Sequence, residues 1–211
     1  MAYFASLRTR DRRTRRVLLV SIVALCLAFL TAYVLTFVDW TPHAGGASGQ
    51  HLAGPAADPA DHGVTAEGVP VFDDTYPTVT NLDPALLGAL RTAATDAAAA
   101  GVGVVVTSGW RSPEYQERLL DDAVIRYGSE QEASRWVATA ETSAHVHGDA
   151  VDVGPYTAID WLAVYGSAYG LCQTYANEPW HFELRPEAAT QGCPAMYADP
   201  ASDPRMHPAG W

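Results

Sequence analysis

Apolar residues fall along this chain in three regimes. Residues 17–38 form an uncharged run rich in Leu, Val, Ala and Phe. At 1.5 Å per residue a helix of that length spans roughly 33 Å, enough to cross a bilayer core of ~30 Å. The run therefore predicts one transmembrane helix. Residues 39–68 are mostly Gly, Ala, Pro, Asp and His without periodicity and read as a flexible linker. From residue 69 onward, short periodic apolar stretches alternate with Gly and Pro, which predicts a folded domain over 69–196.

Within that domain, Val-Pro-Val-Phe and Thr-Val-Thr in 69–80 predict short extended pieces. Asp83-Pro84 is an N-cap followed by proline at the first helical position, opening a helix through Leu86, Leu87 and Leu90 that stops at Gly101. The β-branched run 102–107 predicts a buried strand. Ser112-Pro113 repeats the cap signal for a second helix through Tyr115, Leu119 and Val124, ending near Gly128. Ser129 with Glu132 three residues on forms a capping box and predicts a third helix over 129–139. A loop around His145 leads to a short strand at 150–153. Residues 157–168 predict a helix with Trp161, Leu162 and Tyr165 on one face. Residues 171–175 and 180–184 read as paired strands. No regular strand–helix–strand alternation appears, so the fold class is α+β, a small, mainly antiparallel sheet flanked by helices. The Pro- and Asp-rich stretch 197–211 is expected on the surface.

Charge sharpens this organisation. Six of the 13 basic residues lie in 1–16, opposed only by Asp11. A basic flank before an apolar run fixes that end in the cytoplasm, so the domain is expected outside the cell on a single-pass anchor. The competing reading is a cleaved signal peptide, but its apolar core spans only ~7–15 residues and no small-x-small cleavage site closes this run. From Asp39 onward, 7 arginines face 23 acidic residues, a formal −16. That surface excludes nucleic acid as a partner, because such binding rests on neutralising phosphates. The chain has no lysine, which excludes serine enzymes built on Ser-x-x-Lys and Lys-Thr-Gly. Cys26 falls in the apolar run. Cys172 and Cys193 are expected to form a disulfide in an outward-facing domain, closing a loop of ~20 residues for about 3 kcal/mol.

Candidate chemistry lies in Ser143-Ala144-His145-Val146-His147-Gly148-Asp149-Ala150-Val151-Asp152 and Glu178-Pro179-Trp180-His181. A hydrolytic zinc site needs three His, Asp or Glu ligands, an open position for water, and a free carboxylate to take that water's proton. These stretches supply that inventory. Spacing alone leaves alternatives open: a lone His is commonly a hydrogen-bonded structural residue, Asp152 can cap a turn, and nothing chooses between His145 and His147. Glu178 and His181 have opposite strand parity, so a regular strand could not aim both at one ion; Pro179 breaks the ladder locally and allows it. Glu178 is accordingly expected on a loop and His181 on the strand after it.

Ser-x-His-x-x-Gly-x-Ala-x-Asp (143–152), Glu-Pro-Trp-His (178–181) and Ser-Gly-Trp-Arg-Ser (108–112) together resemble the zinc D,D-carboxypeptidases and dipeptidases of bacterial cell walls. These include the vancomycin-resistance type enzymes, whose fold is shared with the Hedgehog signalling domain. The resemblance covers roughly residues 102–184; Trp110 replaces the family's usual Tyr. It implies zinc on His145, Asp152 and His181, Glu178 as catalytic base, and Arg111 near the scissile carbonyl. Gln116 and Ser143 are implied to contact substrate, and His147 falls on a variable position. The expected activity is a membrane-anchored zinc D,D-carboxypeptidase that removes the terminal D-Ala of peptidoglycan stem peptides. The alternatives are a D,D-dipeptidase or stem-peptide endopeptidase of the same fold, or a non-catalytic zinc-containing wall- or protein-binding module.

Overall fold

A computed structural model describes residues 59–63 and 68–207. The basic segment, the predicted transmembrane helix and most of the linker lie outside the described residues. Among the described residues, no helix is long and apolar enough to cross a membrane.

Five strands form one sheet: β1 (Val69–Pro70), β2 (Val105–Ser108), β3 (Ala150–Gly154), β4 (Leu171–Gln173) and β5 (His181–Leu184). Their order is β1-β2-β3-β5-β4, and every pairing is antiparallel. The expected α+β class with a small antiparallel sheet is thus what the chain adopts. Among the described residues, three helices exceed two turns: α1 (Pro84–Ala99), α2 (Pro113–Tyr127) and α3 (Tyr156–Tyr165).

The caps work as the sequence predicts. Asp83 Oδ1 accepts from Ala85 N at 2.8 Å and Leu86 N at 3.1 Å. Ser112 Oγ accepts from Tyr115 N at 3.2 Å, and Gly128 closes α2 in the left-handed conformation. On α1 the buried positions are Leu86, Leu90, Ala93, Ala94 and Ala97, one helical face. That face packs with Ile159 and Leu162 of α3 against Val106, Val151, Val153, Leu171 and Phe182 of the sheet. Because strand side chains alternate, Val151 and Phe182 enter this core while their neighbours Asp152 and His181 take the opposite face. One hydrophobic layer thereby fixes the plane on which the polar residues stand.

Several expectations are corrected. Residues Pro77–Thr80 form a helical turn rather than an extended piece, because Val79 N and Thr80 N both bond back to Tyr76 O. The third helix is only Glu130–Ala133; beyond it, Trp136 stacks on Tyr127 at 5.8 Å, and a contact outside the helix ladder prevails. The residues around His145 form a one-turn helix, Ala144–His147, not an open loop. The predicted helix 157–168 is α3 followed by a 3₁₀ turn, Gly166–Tyr169. The stretch after residue 196 runs over the surface but turns Asp199, Pro200 and Asp203 inward. It is tied down by a parallel bridge between Tyr175 and Tyr197.

Candidate metal centre and cleft

The register β3–β5 sets Asp152 opposite His181 on the polar face of the sheet. His145 arrives from the one-turn helix, which ends at Gly148 with φ +77°. A Cβ there would lie 2.5 Å from Asn81 O. Glycine therefore serves both the left-handed conformation and the close approach that lets Asp83 N bond Gly148 O at 2.9 Å. Glu178 lies in the turn before β5, and His181 is that strand's first residue. Gln173 Nε2 donates to Pro179 O at 2.7 Å, and Val153 N donates to Trp180 O at 3.0 Å, fixing this turn to its neighbours.

Three ligand atoms converge. His145 Nε2 lies 3.2 Å from His181 Nδ1 and 3.4 Å from Asp152 Oδ1, which is itself 3.2 Å from His181 Nδ1. Tetrahedral ligands at ~2.0–2.1 Å from a zinc ion lie ~3.3–3.4 Å apart, so the spacing fits one such ion. The other ring nitrogens are occupied. His145 Nδ1 donates to Gly109 O at 2.8 Å and His181 Nε2 faces Glu183 Oε1 at 3.2 Å. A carbonyl or carboxylate oxygen only accepts, which leaves the inward nitrogens as the ones carrying lone pairs for a cation. Asp152 Oδ1 is buried with no hydrogen-bond partner among the described residues. That orphaned oxygen, beside the two inward nitrogens, fits a cation completing the cluster. His147 points elsewhere; its Nε2 donates to Glu141 O at 2.9 Å.

Around the cluster stand the other predicted residues. Glu178 Oε2 is 4.0 Å from His181 Nδ1, near the ligands but outside their cluster. Arg111 donates from Nη2 to Asp152 Oδ2 at 2.8 Å, from Nε to Ser108 Oγ at 2.7 Å, and from Nη1 to Gln116 Oε1 at 3.2 Å. Two of its five N–H groups remain without a partner among the described residues. Arg111 is thus a half-buried partner of a ligand rather than a surface ion pair. Gln116 is buried and donates to Ala138 O at 2.9 Å, so its amide mainly braces Arg111 and the 136–138 segment. Ser143 is buried beneath the cleft.

Burial and neighbouring charge set the ionisation states. Burial pushes the Glu178 carboxyl up to about 7, reinforced by Asp152 and opposed by the His181 and Arg111 charges. Burial also lowers His145, with the charge of Arg111 acting in the same sense. Burial alone would lower His181, but Asp152 and Glu183 beside it prevail and raise it to about 9. Asp152 is held well below the usual carboxylate range, since His145, His181 and Arg111 outweigh its burial.

The cluster opens into a cleft of about 260 Å³ whose walls include Trp136, Tyr175, Trp180, Pro200 and Met206. Sequence reasoning missed Tyr175, whose ring lies 5.0 Å from that of His181, and Glu183 behind the ligand. The signal for Glu183 was present: two residues beyond His181 on a strand, it had to share its face. The expected disulfide joins Cys172 to Cys193, with Cα atoms 5.5 Å apart. It closes the segment that carries both Glu178 and His181.

Comparison with known proteins places the chain among cell-wall peptidases by sequence. A D-alanyl-D-alanine carboxypeptidase of Enterococcus faecalis (strain ATCC 700802 / V583) is 32% identical over 123 residues. The match covers 46% of this chain and 46% of that protein, so the chain spans about half the length of this relative. A solved structure of a mutant of the vancomycin resistance D,D-pentapeptidase VanY, from a VanB-type resistance cassette and in complex with Zn(II), is 26% identical. It covers 61% of this chain and 89% of its own, with a TM-score of 0.50. Residues 80–187 match the family described as VanY, D-alanyl-D-alanine carboxypeptidase. This chain belongs to the VanY family.

Proposed function

We propose that the chain is a zinc-dependent D,D-carboxypeptidase that hydrolyses the terminal D-Ala of peptidoglycan stem peptides. The observation that carries this reading is the convergence of His145 Nε2, Asp152 Oδ1 and His181 Nδ1 at 3.2–3.4 Å, with Glu178 standing outside that cluster. A binding module has no use for a free carboxylate beside its ligands, and this favours the enzyme over a non-catalytic zinc module. Family membership supports the bond and substrate class.

The three converging atoms would hold zinc, which when bound lowers the pKa of water toward ~7 and polarises a carbonyl. Glu178 accepts the proton of the attacking water and delivers it to the leaving amine nitrogen. A cation held there would draw Glu178 down from about 7 and so keep it ionised as a base. Arg111 keeps Asp152 oriented with one edge and offers its two remaining N–H groups to charge developing on the carbonyl oxygen. The aromatic and apolar walls from Trp136, Tyr175 and Trp180 seat the peptide and exclude water.

This reading also includes the anchor: the apolar run 17–38 would hold the domain at the outer membrane face, beside wall precursors. Incubating the zinc-loaded protein with a purified stem pentapeptide and weighing the products tests the activity. Release of a single D-Ala, abolished by a chelator, is the expected result. An intact pentapeptide would refute the enzymatic reading, and release of a dipeptide would shift it to a D,D-dipeptidase.

A further inference from the structure

The stretch 197–207 lies beyond the residues that match the family, yet it reaches the metal centre from behind. Glu183 is almost fully buried, and its Oε1 faces His181 Nε2 at 3.2 Å. A buried carboxylate is costly unless its oxygens are satisfied by cations. Arg205 supplies that: Nη1 donates to Glu183 Oε2 at 2.7 Å and Nη2 to Glu183 Oε1 at 3.1 Å, a bidentate fork. Arg185 Nη2 adds a third donor to Oε2 at 2.7 Å.

Arg205 is itself held in place. Asp203, fully buried, accepts from Arg205 Nε and also from Tyr175 Oη, at 3.0 Å in each case. Asp199, at the start of the same strap, accepts from Arg135 Nε at 2.8 Å. A continuous chain of contacts therefore runs from the C-terminal strap through Arg205 and Glu183 to the back of His181. An arginine serving only to tether a tail would need one carboxylate; this one is divided between Asp203 on its own strap and the carboxylate that orients a ligand.

Resting on the zinc reading above, we infer that Arg205 is a positioning residue of the metal centre. It locks the Glu183 carboxylate so that His181 keeps its proton on Nε2 and presents Nδ1 toward Asp152 and His145. The C-terminal strap is then a working part of the site, not a surface appendage. Partners behind a ligand typically change metal affinity by 10–100-fold when removed, so the effect is measurable.

The test is zinc affinity by chelator competition, with the Co(II) absorption spectrum as a second readout, on the whole chain. Arg205→Ala should bind zinc about 10-fold more weakly and shift the cobalt bands. Arg205→Lys, which restores charge but not the fork, should recover part of the loss. Arg135→Ala removes another tether of the same strap without touching Glu183, and should bind zinc like the wild type. If Arg205→Ala does not fold by circular dichroism, Arg205→Gln is read against the same criteria. Wild-type affinity and spectrum in the Arg205 variant would overturn the inference. So would an equal loss in Arg135→Ala, which would mark the strap as structural support only. A wild-type chain that binds no zinc would instead refute the zinc reading itself, and the inference with it.

Discussion

At Gly109 a single methyl group should damage the site without touching a ligand. A Cβ built there lies 2.0 Å from Thr78 O and 3.1 Å from Thr78 C, both backbone atoms that cannot rotate away. Side-chain carbons essentially never come within 3.0 Å of such atoms, so Gly109→Ala must push the two segments at least 1.0 Å apart. That separation breaks two bonds, Gly109 N to Thr78 Oγ1 at 2.8 Å and Trp110 N to Thr78 O at 3.0 Å. Each buried group left unsatisfied costs about 1–3 kcal/mol, so a net loss of about 3 kcal/mol is expected. For a domain of this size that lowers the melting temperature by about 10 °C. Gly109 O also accepts from His145 Nδ1, and Arg111 N donates to His145 O at 3.1 Å, so the displacement is carried into the metal centre. Zinc affinity should fall about 10-fold, as for other lost partners of a ligand. Thermal melting followed by circular dichroism, paired with chelator competition, reads both effects. A Gly109→Ala protein with wild-type melting temperature and zinc affinity would refute the reasoning.

Three further outcomes are expected. Glu178→Ala should lower kcat by about 10²–10⁴ while zinc still binds at one ion per chain, measured by stem-peptide hydrolysis and elemental analysis; retained hydrolysis would remove Glu178 as the base. His181, raised to about 9, carries a proton in the metal-free protein at neutral pH, and zinc takes only the neutral ring. Zinc affinity should therefore rise about tenfold per pH unit from 7 toward 9 and then level, with about one proton released, read by calorimetry in buffers of different ionisation enthalpy. The same raised value gives the metal-free fold a stabilisation that is full below about pH 6.5 and lost as pH rises through about 9. Replacing Cys172 with Ser opens a 21-residue separation to Cys193 and should cost about 3 kcal/mol in denaturant unfolding; an unchanged midpoint would contradict that.

How much of this was legible in the sequence depends on the range of the forces involved. The starts of α1 and α2 were readable because Asp83-Pro84 and Ser112-Pro113 act within one helical turn. The turn placing Glu178 off the strand followed from Pro179 and strand parity once both residues were taken to serve one ion. The short reach of the Glu130–Ala133 helix was not readable, since Trp136 leaves it to meet Tyr127 and Ala138 O leaves it to meet Gln116. Nor was the inward turn of Asp203, whose partner Tyr175 is 28 positions away in the chain. Choosing His145 over His147 rested on resemblance; the structure supplies the physical reason, the bond from Nδ1 to Gly109 O that aims Nε2 at Asp152.

The site rests on one ion bound by three named atoms. Diffraction data collected on zinc-soaked crystals above and below the zinc absorption edge locate that ion without any assumption about activity. The expected result is a single anomalous peak bonded to His145 Nε2, Asp152 Oδ1 and His181 Nδ1, with Glu178 close by but not bonded. A peak ligated by His147 or Glu178 in place of one of these atoms, or no peak in a well-ordered domain, would contradict it.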